Sequence, residues 1–317
     1  MPVVMTSPAD PVPVFPDFKP LELGDRDLIR TLLTAYQPDT SEWTFTNLFM
    51  WRHHYGLSWA MHEGALLVVS QSAGTSPFAF APMGPSPRQN TTRLLLHWLG
   101  DRYGVAGTIE RADQRLVDEL DGSPDFAIEA IRDQFDYVYR CEDLIQLGGR
   151  KYHAKRNHLN KLMRSHPFDY EPLTRNHIDA CLQLADNWCH WRRCEEDMNL
   201  TGEWDAIREA LEHYEELDLQ GGVILLNRKV EAFSLGELLN QQTAVVHIEK
   251  ANPQIPGMYA LINQQFCEQC WGQVSYVNRE QDLGEPGLRK AKLSYHPDHM
   301  VAKYRVRLDK AEQGGGP

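Results

Sequence analysis

Apolar positions along the chain switch between a spacing of three to four residues and a spacing of two, and the switches predict the elements. Leu28, Ile29, Leu32, Leu33 and Tyr36 keep helical spacing behind Asp25 and Asp27, acids suited to a helix start. Residues 57–61 and 65–70 read as strands joined through His62-Glu63-Gly64, and 78–80 as a third strand before Pro82 and Gly84. Helix is predicted over 91–99 and 114–120, strand over 107–110 and 136–139. A second round opens with a strand near 168–173 and a long helix carrying Ile178, Cys181, Leu182, Leu184, Ala185, Trp188 and Cys189. A helix over 203–217 follows, then strands at 221–226, 230–238 and 243–249 with turns at Asn227-Arg228-Lys229 and Asn240-Gln241-Gln242. A helix over 258–271, with Ile262, Phe266 and Cys270 in register, and a strand over 274–278 complete the round.

The order of that round is strand, two helices, three strands, helix, strand, and the first half shows a looser version of it. Such an order is that of the GNAT acyltransferases, in which the fourth strand and the helix after it splay apart to admit an acyl donor. The expected fold class is therefore α+β, with tandem GNAT-like domains whose mixed, mostly antiparallel sheets are flanked by helices.

At 317 residues and 42% hydrophobic content, the chain can build two ordinary cores. We read 1–17 as a flexible or extended Pro-rich lead-in, 18–147 as the first domain and 148–167 as a basic linker helix. The second domain covers 168–310, and 311–317 is a flexible tail. No stretch approaches the roughly 18 apolar residues that span a bilayer, and the N-terminus has neither a basic start nor an apolar run. A cytoplasmic protein with no stable membrane insertion is expected. Cys141, Cys181, Cys189, Cys194, Cys267 and Cys270 form no dense disulfide framework, which favours reduced thiols, and Cys267-Glu268-Gln269-Cys270 sits late in a helix, where core packing outweighs redox or zinc chemistry. Cys189 and Cys194 flank His190, but no metal site is expected.

Charge changes the picture. The net charge is −12, yet residues 148–166 hold six Lys or Arg and no acid, and 288–307 hold six against the single acid Asp298. An acidic body with two concentrated basic segments suggests a localised anion site and argues against a surface that coats nucleic acid.

Several strings carry a resemblance: SEWTFTNLFMW at 41–51, GGRKYHAKRNHLN at 148–160, HIEKA at 247–251, YVNREQDLG at 276–284 and GLRKAK at 287–292. Over roughly 18–304 they resemble a family of bacterial proteins grouped with the C-terminal domain of phosphatidylglycerol lysyltransferases. The resemblance implies a tandem GNAT architecture related to lysyltransferases and to Fem-type aminoacyltransferases. Those relatives pass an amino acid from aminoacyl-tRNA to a lipid or peptide acceptor; fold and family alone do not transfer the reaction.

Aminoacyl transfer needs a neutral acceptor amine and a stabilised oxyanion, so it calls for a base beside cations. Alternation places Glu237 on one face with Phe233 and Leu235, and His247 and Glu249 together with Val245. These three are the base candidates. Lys250, Arg279, Arg289 and Lys292 are the cation candidates, with Asn278 and Glu280 near the same strand ends. The bland alternative is a structural ion-pair network through Glu249, Lys250, Arg279, Glu280, Asp282, Arg289 and Lys290. On a helix over 152–164, Tyr152, Leu159, Leu162 and Met163 form an apolar stripe. Lys151, Lys155, Arg156 and Asn160 are then candidates for phosphate or tRNA, with Arg156 the better ligand because its planar fork binds bidentately. Snorkelling of Lys155 is the equal alternative. In the aromatic string, Phe45 and Phe49 fit a packed helix, although aromatics also suit an RNA 3′ end; Glu42 and Asn47 would border a cleft.

Coenzyme A would need free amides in the loop 250–258, where Pro253 and Pro256 lack an N–H and only Gly257 allows close approach. No cofactor is expected, and acetyl-CoA is disfavoured. The reading favoured is aminoacyl or acyl transfer to an amine or lipid head group, with aminoacyl-tRNA as donor. The alternative is a non-catalytic module that binds a phosphorylated ligand or a protein partner.

Overall fold

The structure, a computed structural model, describes residues 11–192 and 198–309. The first half runs β1 (Lys19–Pro20), α1 (Arg26–Tyr36), α2 (Phe45–Tyr55), β2 (Leu57–His62), β3 (Ala65–Ser70), β4 (Phe78–Phe80), α3 (Gln89–Tyr103), β5 (Ile109–Ala112), α4 (Gln114–Leu120) and β6 (Phe126–Ala130). β7 (Asp136–Arg140), α5 (Cys141–Gln146) and α6 (His153–Ser165) lead to the second half. That half runs β8 (Asp169–Pro172), α7 (Ile178–Arg192), α8 (Met198–Glu212), β9 (Gln220–Leu226), β10 (Lys229–Leu238), β11 (Thr243–Ala251), α9 (Met258–Cys270), β12 (Tyr276–Asn278), α10 (Pro286–Leu293), β13 (His299–Val301) and β14 (Tyr304–Leu308). Each half therefore shows strand, two helices, three strands, helix, strand in full, and the fold is the tandem GNAT-like α+β arrangement.

Two seven-stranded sheets follow one plan, ordered β1-β2-β3-β4-β5-β14-β6 and β8-β9-β10-β11-β12-β7-β13. In each, the fourth and fifth strands are parallel and the other main-ladder pairings antiparallel. The sixth strand of each sheet comes from the other half: β7 inserts beside β12, and β14 inserts beside β5. The sheets therefore do not divide at the basic linker. Residues 136–140 serve the second sheet, and 304–308 return to the first.

Local signals explain the elements. Asn227 and Arg228 both take left-handed φ values, 50° and 65°, the geometry of a tight hairpin between β9 and β10. The Thr44 hydroxyl accepts from the Asn47 amide and caps α2. One core joins the halves: Trp43, Phe45 and Phe49 around α2 pack in the same apolar cluster as Ile207 and Leu211 of α8 and Phe233 and Ile248 of the second sheet. Trp43, Phe45 and Phe49 of 41–51 are thus core residues, with Phe45 and Phe49 stacked at 5.7 Å, and Trp51 packs partly buried against them. On the far face of the second sheet, Leu159 and Leu162 of α6 join Leu261 and Phe266 of α9. Tyr152 also belongs there, whereas Met163 departs from the expected stripe and is exposed.

Of the lead-in, the described part is docked and turns at Phe15-Pro16, where the Asp17 N–H reaches the Val14 carbonyl at 2.9 Å: Val14 bridges to Met61, and Phe15 meets the edge of Trp98 at 6.0 Å. Its first ten residues, Cys194 and the 311–317 tail lie outside the described residues. Cys141, Cys181, Cys267 and Cys270 are free thiols. Cys189 is disulfide-bonded, a departure from the reduced state expected of all six. Among the described residues no helix is long and apolar enough to cross a membrane.

Candidate active site

The site begins where two parallel strands part. β11 and β12 pair only from Thr243 opposite Tyr276 to Val245 opposite Asn278, after which β11 continues to Ala251 without its neighbour. At that point β11 also slips against β10: Gly236 faces Val246 and Leu235 faces Ile248, leaving His247 as an extra residue. A bulge of this kind reverses the inside–outside parity of everything beyond it. His247 consequently leaves the face of Glu249, contrary to the alternation read from sequence.

On the face toward the first half, His247 is held between two acids. Its Nε2 lies 3.0 Å from Glu237 Oε1 and its Nδ1 lies 2.9 Å from Glu280 Oε1. The ring is 1% exposed and Glu237 7%. Burial alone would depress the imidazole, but the hydrogen bonds from Glu237 and Glu280 carry it up to about 9. The two acids thus hold the ring toward its protonated form. The centre therefore sets two acidic side chains against one basic ring. The first half closes it: Thr44 Oγ1 lies 3.4 Å from His247 Nε2, and Asn47 Nδ2 donates to Glu280 Oε1 at 3.2 Å. Glu237 Oε2 and Glu280 Oε2 have no partner among the described residues.

Cations gather on the opposite face. Arg279 pairs with Glu249 at 2.9 Å, and Asn263 of α9 donates to the same carboxylate at 3.1 Å. Lys155 of α6 sits 3.4 Å from the Tyr295 ring centroid and donates to Ser294 Oγ at 2.8 Å, while Arg279 lies 4.8 Å from that ring. Lys292 donates to the carbonyls of Arg279 and Glu280. Burial, reinforced by the neighbouring Arg279 charge, pushes the Lys155 and Lys292 amines down to about 8. Arg279 Nη1 and Asn263 Oδ1 are buried without a hydrogen-bond partner among the described residues.

Other expected site residues lie elsewhere. Arg156, expected to bind phosphate, donates to the carbonyls of Leu147 and Gly149 and closes the end of α5, because the turn leaves those carbonyls unbonded. Lys151 is exposed and paired with Asp143 at 2.9 Å, and Asn160 is exposed on α6. Lys250 is buried, pairs with Glu203 at 2.8 Å and lies 3.3 Å over Trp188. Arg289 grips Asp282 and Asp133. The single ion-pair network read from sequence is thus several separate pairs.

Glu42 and Asn278 belong to a buried knot. Lys303, fully buried, donates to Glu42 Oε1 and Asp136 Oδ1, each at 2.6 Å, and Asn278 Nδ2 donates to Asp136 Oδ2 at 3.0 Å. Sequence reasoning missed Lys303 and Asp136 as members. The only signal was an isolated Lys following the apolar pair Val301-Ala302 inside a basic segment.

The N-terminus of α9, the place of a coenzyme A pyrophosphate in this fold, is covered by α6. A Cβ on Gly257 would stand 3.2 Å from the His158 carbonyl oxygen and 3.5 Å from Leu162 Cβ. Two surface cavities lie away from the centre. One of about 490 Å³ is bounded by Arg140, Gln146, Gly272 and Tyr276, and one of about 550 Å³ runs along α10 past Arg289, Lys290 and Ser294. No group of three or more His, Cys, Asp or Glu able to hold a metal occurs among the described residues.

The arrangement can be set beside known proteins. A conserved protein of unknown function from Bacteroides thetaiotaomicron is 33% identical and superposes with a TM-score of 0.86, over 92% of this chain and 99% of that one. The C-terminal domain of a protein assigned as a lysylphosphatidylglycerol synthetase from Agrobacterium fabrum is 13% identical, with a TM-score of 0.62 over 92% and 93% of the two chains. FemX is 8% identical, with a TM-score of 0.56 over 94% and 98%; these last two likenesses concern the fold. The family model described as phosphatidylglycerol lysyltransferase, C-terminal, matches residues 33–307, and the chain belongs to that family.

Proposed function

We propose that this protein transfers an aminoacyl group from aminoacyl-tRNA to an amine or lipid head group at the parting of β11 and β12. The observation that carries the reading is the Glu237–His247–Glu280 centre. Its paired acids suit an amine, and in this reading their Oε2 atoms, which the ring leaves unbonded, take the proton that the attacking amine sheds. Both N–H groups of His247 are taken up by the two acids, so the ring orients them; as the new bond forms, the donor ester C–O bond breaks and the proton taken by the carboxylate passes to the leaving ribose oxygen. Lys155 and Arg279, on the other face of the same gap, suit a phosphate-bearing partner such as an RNA end, whereas Lys292 is taken up by the carbonyls of Arg279 and Glu280. Acetyl-CoA fits less well, because α6 occupies the end of α9 where its pyrophosphate would rest.

The test is transfer of label from bulk radiolabelled aminoacyl-tRNA, offered with a set of amines and with phosphatidylglycerol vesicles. Transfer that drops about 100-fold in Glu237→Gln and Glu280→Gln is expected. Label that stays on tRNA with every acceptor would overturn the reading. A second reading, a non-catalytic module for a phosphorylated ligand, is favoured by the unpartnered Arg279 Nη1. It predicts anion binding that survives both substitutions.

A further inference from the structure

The crossing strands connect to the His247 centre through an unbroken line of polar atoms. Lys303 precedes β14, the strand that returns to the first sheet; Asp136 opens β7, the strand that enters the second. Lys303 Nζ bonds Asp136 Oδ1 at 2.6 Å, and Asp136 Oδ2 receives Asn278 Nδ2 at 3.0 Å. Asn278 Oδ1 accepts the backbone N–H of Glu280 at 2.8 Å, and Glu280 Oε1 reaches His247 Nδ1 at 2.9 Å. Glu42 closes the far end at 2.6 Å from Lys303, and Ser41 adds its amide to Asp136 Oδ2 at 2.8 Å.

Glu280 needs such help. Its φ is +57°, a left-handed conformation that strains a residue with a side chain and persists only where neighbours hold it. Asn278 holds its N–H, while the Tyr137 amide and Lys292 Nζ hold its carbonyl and Asn47 its carboxylate; Asn278, buried at 0% exposure, has its own amide oriented by Asp136. Asp136 in turn is buried and balanced by Lys303. An unbalanced carboxylate there would carry a large desolvation cost.

We infer that Asp136, Asn278 and Lys303 are positioning residues, which set the place of Glu280 against His247 and so couple the strand exchange between the halves to the centre. This rests on the proposed function insofar as that centre is the reacting one. The groups facing His247 are Glu237 from β10, Glu280 after β12, and the uncharged Thr44 and Asn47 from α2; the Lys292 amine reaches the Glu280 carbonyl. If Asn278 loses its grip on the Glu280 N–H, the remaining contacts to the Glu280 carbonyl and to Asn47 no longer fix its backbone, and its bond to the ring weakens relative to that of Glu237.

The experiment is titration of the His247 imidazole by NMR in the full chain, which uses no substrate and is readable even if no transfer activity exists. In the native chain His247 should titrate near 9. In Asn278→Ala it should fall by about one unit or more, a tenfold change in proton affinity, while Glu119→Gln, which breaks the remote Arg88–Glu119 pair, should leave it in place. Should Asn278→Ala fail to fold, Asp136→Asn, which keeps size and shape, is read in the same way. An unchanged titration in a folded Asn278→Ala or Asp136→Asn protein overturns the inference, and so does an equal fall in Glu119→Gln. Loss of transfer in the native chain with the expected fall in titration would sink the proposed function alone.

Discussion

His247 and Glu249 stand two residues apart on one strand yet face opposite sides of the sheet, because His247 is the extra residue of a bulge against Leu235 and Gly236. One side thereby receives an imidazolium between two carboxylates, and the other an acid beneath three cations. The parting of β11 from β12 leaves both sides at one gap in the sheet.

The His247 centre makes stability depend on pH in a defined direction. The folded-state value is raised to about 9 from an unfolded value near 6.5, so its contribution is complete below about 6.5 and is lost as pH rises through 9. The amount is on the order of 3 kcal/mol. Denaturant midpoints measured from pH 6 to 10 should fall over that window in the native chain and stay flatter in His247→Gln. Parallel curves would show that the ring is not held as an imidazolium.

Lys303 is fully buried between Glu42 and Asp136, so Lys303→Met strands two carboxylates in the core. A loss of about 3–5 kcal/mol in unfolding free energy is expected, partly recovered by adding Glu42→Gln and Asp136→Asn. A single variant as stable as the native protein would contradict the buried pairing.

The bulge depends on Gly236. A Cβ there would stand 2.4 Å from the Val245 carbonyl oxygen, too close for β10 and β11 to keep their spacing. Gly236→Ala should cost about 1–3 kcal/mol and detach His247 from Glu237. Thermal unfolding and the His247 titration check both effects, and a native-like titration would show that the strands give way without cost.

Lys155 should behave as an unusually nucleophilic lysine. With its amine down to about 8, about a quarter is neutral at pH 7.5, against roughly one part in a thousand for an ordinary lysine. Substoichiometric acylation followed by peptide mapping should mark Lys155 well ahead of the exposed Lys290. Equal labelling of the two would refute the depressed amine.

Arg156 and Lys155 separate by role. Arg156→Ala removes a donor from the carbonyls of Leu147 and Gly149 and should lower stability by about 1–2 kcal/mol without changing affinity for tRNA. Lys155→Ala should weaken tRNA binding most at low salt. Reversed outcomes in a filter-binding assay would return the phosphate role to Arg156.

The element order was legible from sequence because periodicity is local: β9, β10 and β11 each alternate or run apolar within their own length, and α9 repeats its apolar positions turn by turn. Glu237 and Asn47 were legible as candidates, since a polar group on an apolar strand face or among packed aromatics needs a partner. The two basic segments also stood out, but which of their members would be spent on carbonyls and acids could not be read. Arg156 depends on carbonyls nine and seven residues away, and Lys303 on acids more than 160 positions distant.

By itself, then, the amino-acid sequence determined two rounds of strand, helices, strands, helix and strand, together with the concentration of positive charge in two segments. Tertiary structure decided the rest. Exchange of β7 and β14 between sheets is a matter of long-range pairing that no local pattern encodes, and a one-residue bulge moves His247 to another face without altering the alternation that predicts the strand. Ionisation followed placement: His247 gains its proton, and Lys155 and Lys292 are disposed to lose theirs, only because folding brings acids to the one and burial with Arg279 to the others.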